Sequence, residues 1–476
     1  MLKNYLITAF RNIARQKGYS LIIILGLTTS IAIFGLILLY VTGEYQTDKF
    51  NKYYNHIYRL ETEEWAILGT AYGPELASSF PEIEYFTRIS AFEGNSVTIR
   101  KDDKLIKLEH MLYADSSITN IFTFDFIQGN PKTALSVPFS VVLTKSEAGK
   151  LFDTEDPMGK VLRIDNKFNF TVTGIIRDVP SFHLKTNAIA SFPTLKDIYN
   201  NPEFLNNYGQ WNYHTFFRLK PNVNPRQLEQ KIINFYTGKA NWKDSKPFFM
   251  LRPLKEIYFT HVKYNIANPG GDRTMLTLFL SIGIFIVIIA CVNFINLTTA
   301  RASGRSKEIG VRKVLGAGKA SLVYQFLGEA ILITFISTEL ALVLMELLRP
   351  IFGNLIAKDV SPGTGSSFWM LMLALPFPVL IGIIAGSYPA IYLNRFSPIS
   401  TLKKEKTSGK GSLVFRRILI TFQFTISIFL IVATLTVKKQ LNYFRDKKLG
   451  FDKEHIITLK INGELAKTRK LFAKSC

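Results

Sequence analysis

NFINLTTARASGRSKEIGVRKVLGAGKASLVYQFLGEA, residues 293–330, is the stretch whose reading decides the fold. An apolar run without a single charge leads into it from Thr274 and ends at Arg301. Arg301, Arg305, Lys307, Arg312, Lys313 and Lys319 then stand against one acid, Glu308: six cations less one anion, a net charge of +5. A second apolar run follows to about Leu348. A short, strongly basic loop between two apolar spans marks the cytoplasmic side of a membrane. Ile309, Val311, Val314 and Leu315 sit among the charges, which predicts a short amphipathic helix pressed on the inner face. The Gly-Ala-Gly at 316–318 predicts the turn that ends it. Such a helix offers both cations and apolar contacts to a cytoplasmic partner.

The whole chain, 476 residues and 47% hydrophobic, carries a net charge of +22. Its cations cluster beside apolar runs rather than in aromatic-interleaved patches, so the basic balance points to membrane lipid and not to nucleic acid. Of two cysteines, Cys291 lies in an apolar run and Cys476 is the last residue, which leaves no disulfide framework. The six histidines are scattered without metal-ligand spacing and read as ordinary surface or core residues. GAGKAS at 316–321 resembles a phosphate loop only superficially: Lys313 stands where the first glycine belongs, and Ala320 follows Lys319 in place of Ser or Thr. No HExxH or GxSxG occurs. No catalytic, cofactor-binding or metal residue is therefore expected, and no cofactor.

Working outward, residues 1–17 place Leu2, Leu6, Ala9, Phe10 and Ile13 on one face, a basic amphipathic helix suited to the membrane interface. Residues 18–43 are uncharged, long enough to cross, and end without a small-x-small cleavage site; they are expected to form an uncleaved first span running outward. Residues 44–272 turn polar and mixed. Strand-like alternation at 95–100, 104–109, 139–144, 160–164, 168–176 and 214–219, with helical signals at 145–152 and 225–236, predicts a large α+β domain on the outside. A second span at 274–299 returns to the cytoplasmic coupling loop, 300–320. A third span at 321–348, an outer loop at 349–365 and a fourth span at 366–393 follow, the last kinked by Pro376, Pro378 and Pro389. Residues 394–417 form a flexible cytoplasmic linker of net charge +6, and 418–437 a fifth span. The tail, 438–476, would lie outside, although Lys438, Lys439, Arg445, Lys447 and Lys448 run against the positive-inside bias. The expected fold class is thus a multi-pass α-helical membrane protein with a large α+β extracytoplasmic domain inserted between its first two transmembrane helices.

Glu329 and Glu339 punctuate the third span. A free carboxylate in hydrocarbon is costly, so Glu339 is expected to face protein, water or a basic partner, as helix-bundle glue, as an amphipathic edge or as part of a proton relay.

The wording of 293–330 also resembles the core of the FtsX-like permease domain found in MacB-type ABC transporter permeases. The likeness is carried by Asn293, Asn296-Leu297, Ala300-Arg301, EIGVRK at 308–313, Gly316-Ala317 and QFLGE at 325–329. RNIARQKGYSLIIILGL at 11–27 is similar to that family's amino-terminal elbow, and SYPAIYLNRFSPISTLK at 387–403 to the end of its fourth helix. Residues 156–194, with DPMGK and FTVTGIIRDVPSFH, resemble its periplasmic core domain. The fifth span is similar to the opening helix of a second permease half, so the chain reads as a first half that stops early in the second.

The resemblance implies an inner-membrane permease with a cytoplasmic amino terminus. It would work with a separate ABC-type ATPase, with a second permease copy or second half and, in MacB-like relatives, with a periplasmic adaptor. The basic, helically patterned loop is then the expected ATPase contact: Ile309, Val311 and Val314 for apolar contact, Arg305, Arg312 and Lys313 for acidic groups, with Glu308 steadying the helix by pairing with Arg312 four residues on. Two other readings stay open from the sequence: a non-transporting FtsX-like membrane regulator, and a non-functional fragment of a longer permease.

Overall fold

The computed structural model describes residues 11, 17–90, 96–101, 104–179, 181–237, 239, 248–265, 270–315, 318–356, 374–394 and 410–447. The amino-terminal interfacial helix expected at 1–17, most of the 349–365 loop and most of the 394–417 linker and 438–476 tail lie outside them. Residues Gln46–Arg273 form one compact unit, and the long helices before and after it form another.

The helical unit contains α1 (Lys17–Tyr45), α5 (Arg273–Val314), α6 (Lys319–Ile356), α7 (Pro376–Asn394) and α8 (Lys410–Asp446). α1, α6, α8 and the stretch Arg273–Ala300 of α5 are long and apolar enough to cross a membrane. Their common core joins Leu27, Ile31 and Leu36 of α1 to Cys291 and Phe294 of α5, Ile333 and Met345 of α6, and Ile381 and Ala385 of α7. In hydrocarbon, association rests on close packing and interhelical hydrogen bonds rather than on expulsion of water. Both are present. A side chain at Gly386 would meet the Ala330 Cβ, and one at Gly382 the Ile331 Cα, so α6 and α7 touch backbone to backbone. Thr334 Oγ1 donates to the carbonyl of Pro378 at 2.7 Å, and Thr28 Oγ1 to that of Ser337 at 3.2 Å. Pro376 opens α7 at the one helical position where a missing N–H costs nothing.

Three spans differ from their expected outlines. α5 does not stop at the membrane face: it runs unbroken for 42 residues to Val314. Gly304 and Gly310 weaken a helix by only about 1 kcal/mol each, and no proline intervenes before Val314. α6 continues through Pro350 to Ile356, because a proline deletes one backbone hydrogen bond and the apolar Ile351, Phe352 and Leu355 keep the helical pattern going. α8 begins at Lys410 and ends at Asp446, taking residues from both the expected linker and the expected tail. Its Phe415 stacks on Tyr388 at 4.2 Å between centroids, while its apolar window has no buried residue.

The second unit is built on one mixed sheet. Its strands are β1 (Ile57–Glu61), β2 (Ile83–Ser90), β3 (Val97–Lys101), β4 (Lys104–Leu108), β5 (Met111–Ala114), β6 (Phe126–Gly129), β7 (Ser140–Thr144), β8 (Val161–Ile164), β9 (Phe168–Ile176), β10 (Ala188–Ser191), β11 (Tyr213–Leu219) and β12 (Met250–Pro253). Their spatial order is β12-β1-β11-β2-β5-β10-β7-β9-β8-β3-β4, with β6 also on β9. The longest helices packed on it among the described residues are α2 (Tyr72–Ser79), α3 (Lys145–Phe152) and α4 (Pro225–Thr237). β7, β10 and β11 are buried at every position; SVVLT and AIAS accordingly run largely apolar rather than alternating, whereas β11 buries His214, Thr215 and Arg218 among its rings. The two halves of the sheet meet at a single paired position, Ile89 with Ala114. Beside that seam the Arg88 guanidinium grips Asp115 through two nitrogens at 2.8 and 3.0 Å, and its third nitrogen donates to the carbonyls of Thr70 and Leu205. Phe192 caps the same group at 4.5 Å. Side chains therefore hold a seam that backbone pairing alone scarcely would.

A second buried charge set lies across β1 and β12. Arg59 and Glu61 are both fully buried; Arg59 Nε donates to Glu61 Oε1 at 2.7 Å and Arg252 Nε to Oε2 at 2.6 Å. Close by, His214 is fully buried, with Nδ1 2.8 Å from the Ala66 carbonyl. Burial first, and the Arg59 charge second, hold its imidazole well below the usual histidine range. The folded domain thus keeps His214 neutral, whereas the unfolded chain takes up a proton near pH 6.5. Stability is undiminished above that pH and falls as pH drops below it, by up to about 1.4 kcal/mol per pH unit from this group. Thermal unfolding of wild type and His214→Gln between pH 7.5 and 5 should show the steeper acid loss in wild type. Equal slopes would refute the assignment.

Candidate functional site

The expected coupling residues all fall on the carboxyl-terminal part of α5 and just beyond it. Arg305, Glu308, Ile309 and Arg312 are helical, but their side chains, and with them the Glu308–Arg312 pairing, lie outside the described residues. Val311 and Val314 are exposed, as is Leu315 in the turn that follows, while Lys313 is half-buried. Three large exposed apolar side chains thus fall close together in a stretch whose sequence is rich in cations, an arrangement that water disfavours.

The two glutamates of α6 separate. Glu329 is half-buried, and Glu339 lies on an exposed face with Leu340, Val343 and Leu347. The interior of the bundle is given instead to Thr334, Ser337 and Thr338, all fully buried. Their hydroxyls find carbonyls within their own helix or, for Thr334, on α7. Neutral hydroxyls supply the polar contacts there that a carboxylate could supply only at far greater desolvation cost.

A joint that the sequence reading passed over lies three residues beyond α1. Asp48 is 1% exposed and takes a left-handed backbone, φ 66°, which Asp tolerates better than most residues. Its Oδ1 accepts from the His183 backbone N–H at 3.0 Å, and its own N–H donates to the Ser181 carbonyl at 2.8 Å. The His183 Nδ1 stands 2.9 Å from Asp48 Oδ2, at ion-pair distance but angled away from a hydrogen bond. Phe122, Phe182 and Phe216 surround the imidazole. Asn51 extends the joint: its Oδ1 accepts from the Thr123 N–H at 2.9 Å, and Thr123 Oγ1 accepts in turn from the Lys52 N–H. The chain leaving α1 is thereby riveted to the turns after β9 and before β6. The signal lay in DVPSFH at 178–183, whose histidine had been counted with the scattered ones. Where the chain returns, Gly270 leaves no room for a side chain against the Tyr258 carbonyl, and Arg273 lies over the Phe259 ring at 5.1 Å.

With this geometry in hand, comparison with known proteins is informative. The MacB-like periplasmic core domain matches residues 20–235, and the FtsX-like permease C-terminal domain matches residues 280–398. The chain belongs to the MacB-type, FtsX-like permease family. Among its relatives is a macrolide export ATP-binding/permease protein MacB of Mannheimia succiniciproducens, 25% identical over 56% of this chain and 38% of that one. The protein of the same name from Haemophilus ducreyi is 27% identical over 57% of this chain and 36% of that one. The periplasmic region of MacB from Actinobacillus actinomycetemcomitans, a crystal structure, is 14% identical with a TM-score of 0.31, covering 43% of this chain and 91% of that one. The chain spans less than half the length of the curated relatives it matches. In this permease, α5 couples the family's two matched regions in sequence, since it starts between them and carries the opening of the second.

The Asp48 joint makes a direct prediction. Asp48→Ala strips two compensating contacts from a buried pair and should cost the domain about 3 kcal/mol. In the full chain, amide exchange should accelerate at 46–52 and 181–184 before it does in β11. Unchanged protection of those segments would show that the joint bears no load.

Proposed function

We propose that this chain is the membrane-spanning permease part of an ABC transporter of the MacB type. In this reading its amino terminus is cytoplasmic, residues 46–273 lie outside, and a separate ATPase hydrolyses ATP. The observation that carries the reading is the unbroken helix Arg273–Val314. At 1.5 Å per residue it extends about 60 Å, roughly twice the hydrocarbon thickness of a bilayer. One end begins where the external domain stops; the other bears Val311 and Val314 in a strongly basic setting. A stiff element of that length moves as a body, so a push from the ATPase at the basic end arrives at the domain without being absorbed by a hinge. Apolar contact through Val311 and Val314, with Arg305, Arg312 and Lys313 meeting acidic groups, would provide the grip. The Asp48 joint would take up the same motion on the chain leaving α1, and the reshaped domain would drive export or extraction of a substrate. A second permease copy or half completes the assembly, and an adaptor outside the membrane suits the MacB-like form.

Two experiments test this reading. After replacement of Cys291 and Cys476 by serine, a cysteine at Ser303 should react with impermeant maleimide only from the cytoplasm, and one at Ser181 only from outside. Reaction of both from one side would overturn the topology. For coupling, Val311→Asp leaves the charge bias almost intact, so the protein should insert normally. An unpaired carboxylate at a buried contact costs about 2 kcal/mol or more, so co-purifying ATPase and permease-stimulated hydrolysis should fall at least about tenfold. Wild-type coupling in a correctly inserted variant would mean that the basic segment only sets topology or meets anionic lipid.

A further inference from the structure

α4 buries Leu228, Ile232 and Tyr236 against the sheet, but it has a second face. Arg226, Glu229, Gln230 and Ile233 recur at i, i+3, i+4 and i+7, and together they wall a groove whose floor is β12 and whose far side holds Tyr54, Tyr58 and Lys255. Phe248, about half exposed, closes one end. The groove encloses about 700 Å³, within the range that holds a small organic molecule.

Its floor is the edge of the sheet, where an added peptide strand would ordinarily bind. That mode is blocked: the outward N–H of Leu251 already donates to Glu229 Oε1 at 2.7 Å, and Pro253 has no N–H. Recognition must come from side chains. Glu229 is committed to Leu251, and Arg252 to Glu61 at 2.6 Å. Counted together, Arg226, Arg252 and Lys255 stand against Glu229 and Glu256, an excess of one positive charge, and Arg226 and Lys255 are the two exposed cations. Burial raises the phenols of Tyr54 and Tyr58 above their ordinary range, so both stay protonated; Tyr58 already makes a long bond to the Asn55 carbonyl at 3.5 Å, which an anion would have to displace. Cations and phenol donors at the rim, over rings and an isoleucine, suit an anionic head on an apolar body.

We propose that this groove binds a small amphiphilic anion, a phosphate or carboxylate joined to an apolar or aromatic body. Its head is held by Arg226 and Lys255, and its body lies against Tyr58, Ile233 and Phe248. The site is independent of the ATPase and of the coupling mechanism.

The test uses the full chain in phosphatidylcholine nanodiscs, with 2-naphthyl phosphate titrated by calorimetry and empty nanodiscs subtracted. Saturable one-to-one binding is expected, with no competition from a naphthyl trimethylammonium cation. Arg226→Glu with Lys255→Glu should weaken it at least about tenfold, each lost charge-assisted contact being worth that much. Both positions are exposed, so the double variant keeps its fold, and its unchanged melting temperature would establish that. Ile233→Asp, a separate lesion in the apolar wall, should weaken binding as well. If phosphatidylglycerol in the nanodisc displaces the probe, the occupant's head is a lipid headgroup; if it does not, the occupant is a soluble anion, and either result supports the site. Absence of saturable binding to the wild type, equal binding by the double variant, or effective competition by the cation would overturn it.

Discussion

A carboxylate removed from water must find its compensation nearby or forfeit several kcal/mol. Asp48 meets that demand three residues beyond a membrane-spanning helix, using the backbone of one distant turn and the imidazole of the same turn. The geometry is unforgiving because Asp48 and His183 are buried and phenylalanine rings pack around the imidazole. Whatever displaces the chain after α1 must therefore either carry the turn at 181–183 with it or uncover a bare charge. A connection of this kind is stiff for small forces and fails abruptly at larger ones, unlike one made by apolar packing, which yields gradually.

The helical unit solves the opposite problem. Its solvent offers no hydrogen bonds, so every polar atom needs a partner within the protein. α6 places Thr334, Ser337 and Thr338 inward and returns their hydroxyls to nearby carbonyls, while Gly382 and Gly386 bring α7 close enough for one hydroxyl to bridge the two helices. Glu339 stands on the exposed face, where an ion can be met from outside the bundle.

Much of this was legible beforehand, and the exceptions have identifiable causes. The fold class followed from uncharged runs of membrane length and from the polar stretch between the first two. Strand positions in the domain were visible where β-branched residues dominate, as in SVVLT at 140–144 and FNFTVTGII at 168–176. Helix ends were harder. Gly304, Gly310 and Pro350 look like stop signals but each removes too little to end a helix whose neighbours favour it, so α5 and α6 outrun their expected bounds. The Asp48 joint was hidden for another reason: its partners are 135 residues apart, and nothing local to Asp48 or His183 records their meeting. The groove beside α4 was concealed likewise, since periodicity reveals the face that is buried and is silent about the one beside it.

The two outermost strands of the sheet have a consequence for life in a crowded membrane. β12 has its one outward N–H filled by Glu229 and ends in Pro253; β4 reads KLIKL, with Lys107 exposed and tied to Glu109. Proteins confined to a bilayer share one orientation and collide repeatedly with copies of themselves, conditions under which open strand edges would zip neighbouring domains into ribbons. At these two strands a proline, a carboxylate plug and a lysine-bearing border discourage such pairing. On these two edges, crowding finds little with which to join one copy of the domain to the next.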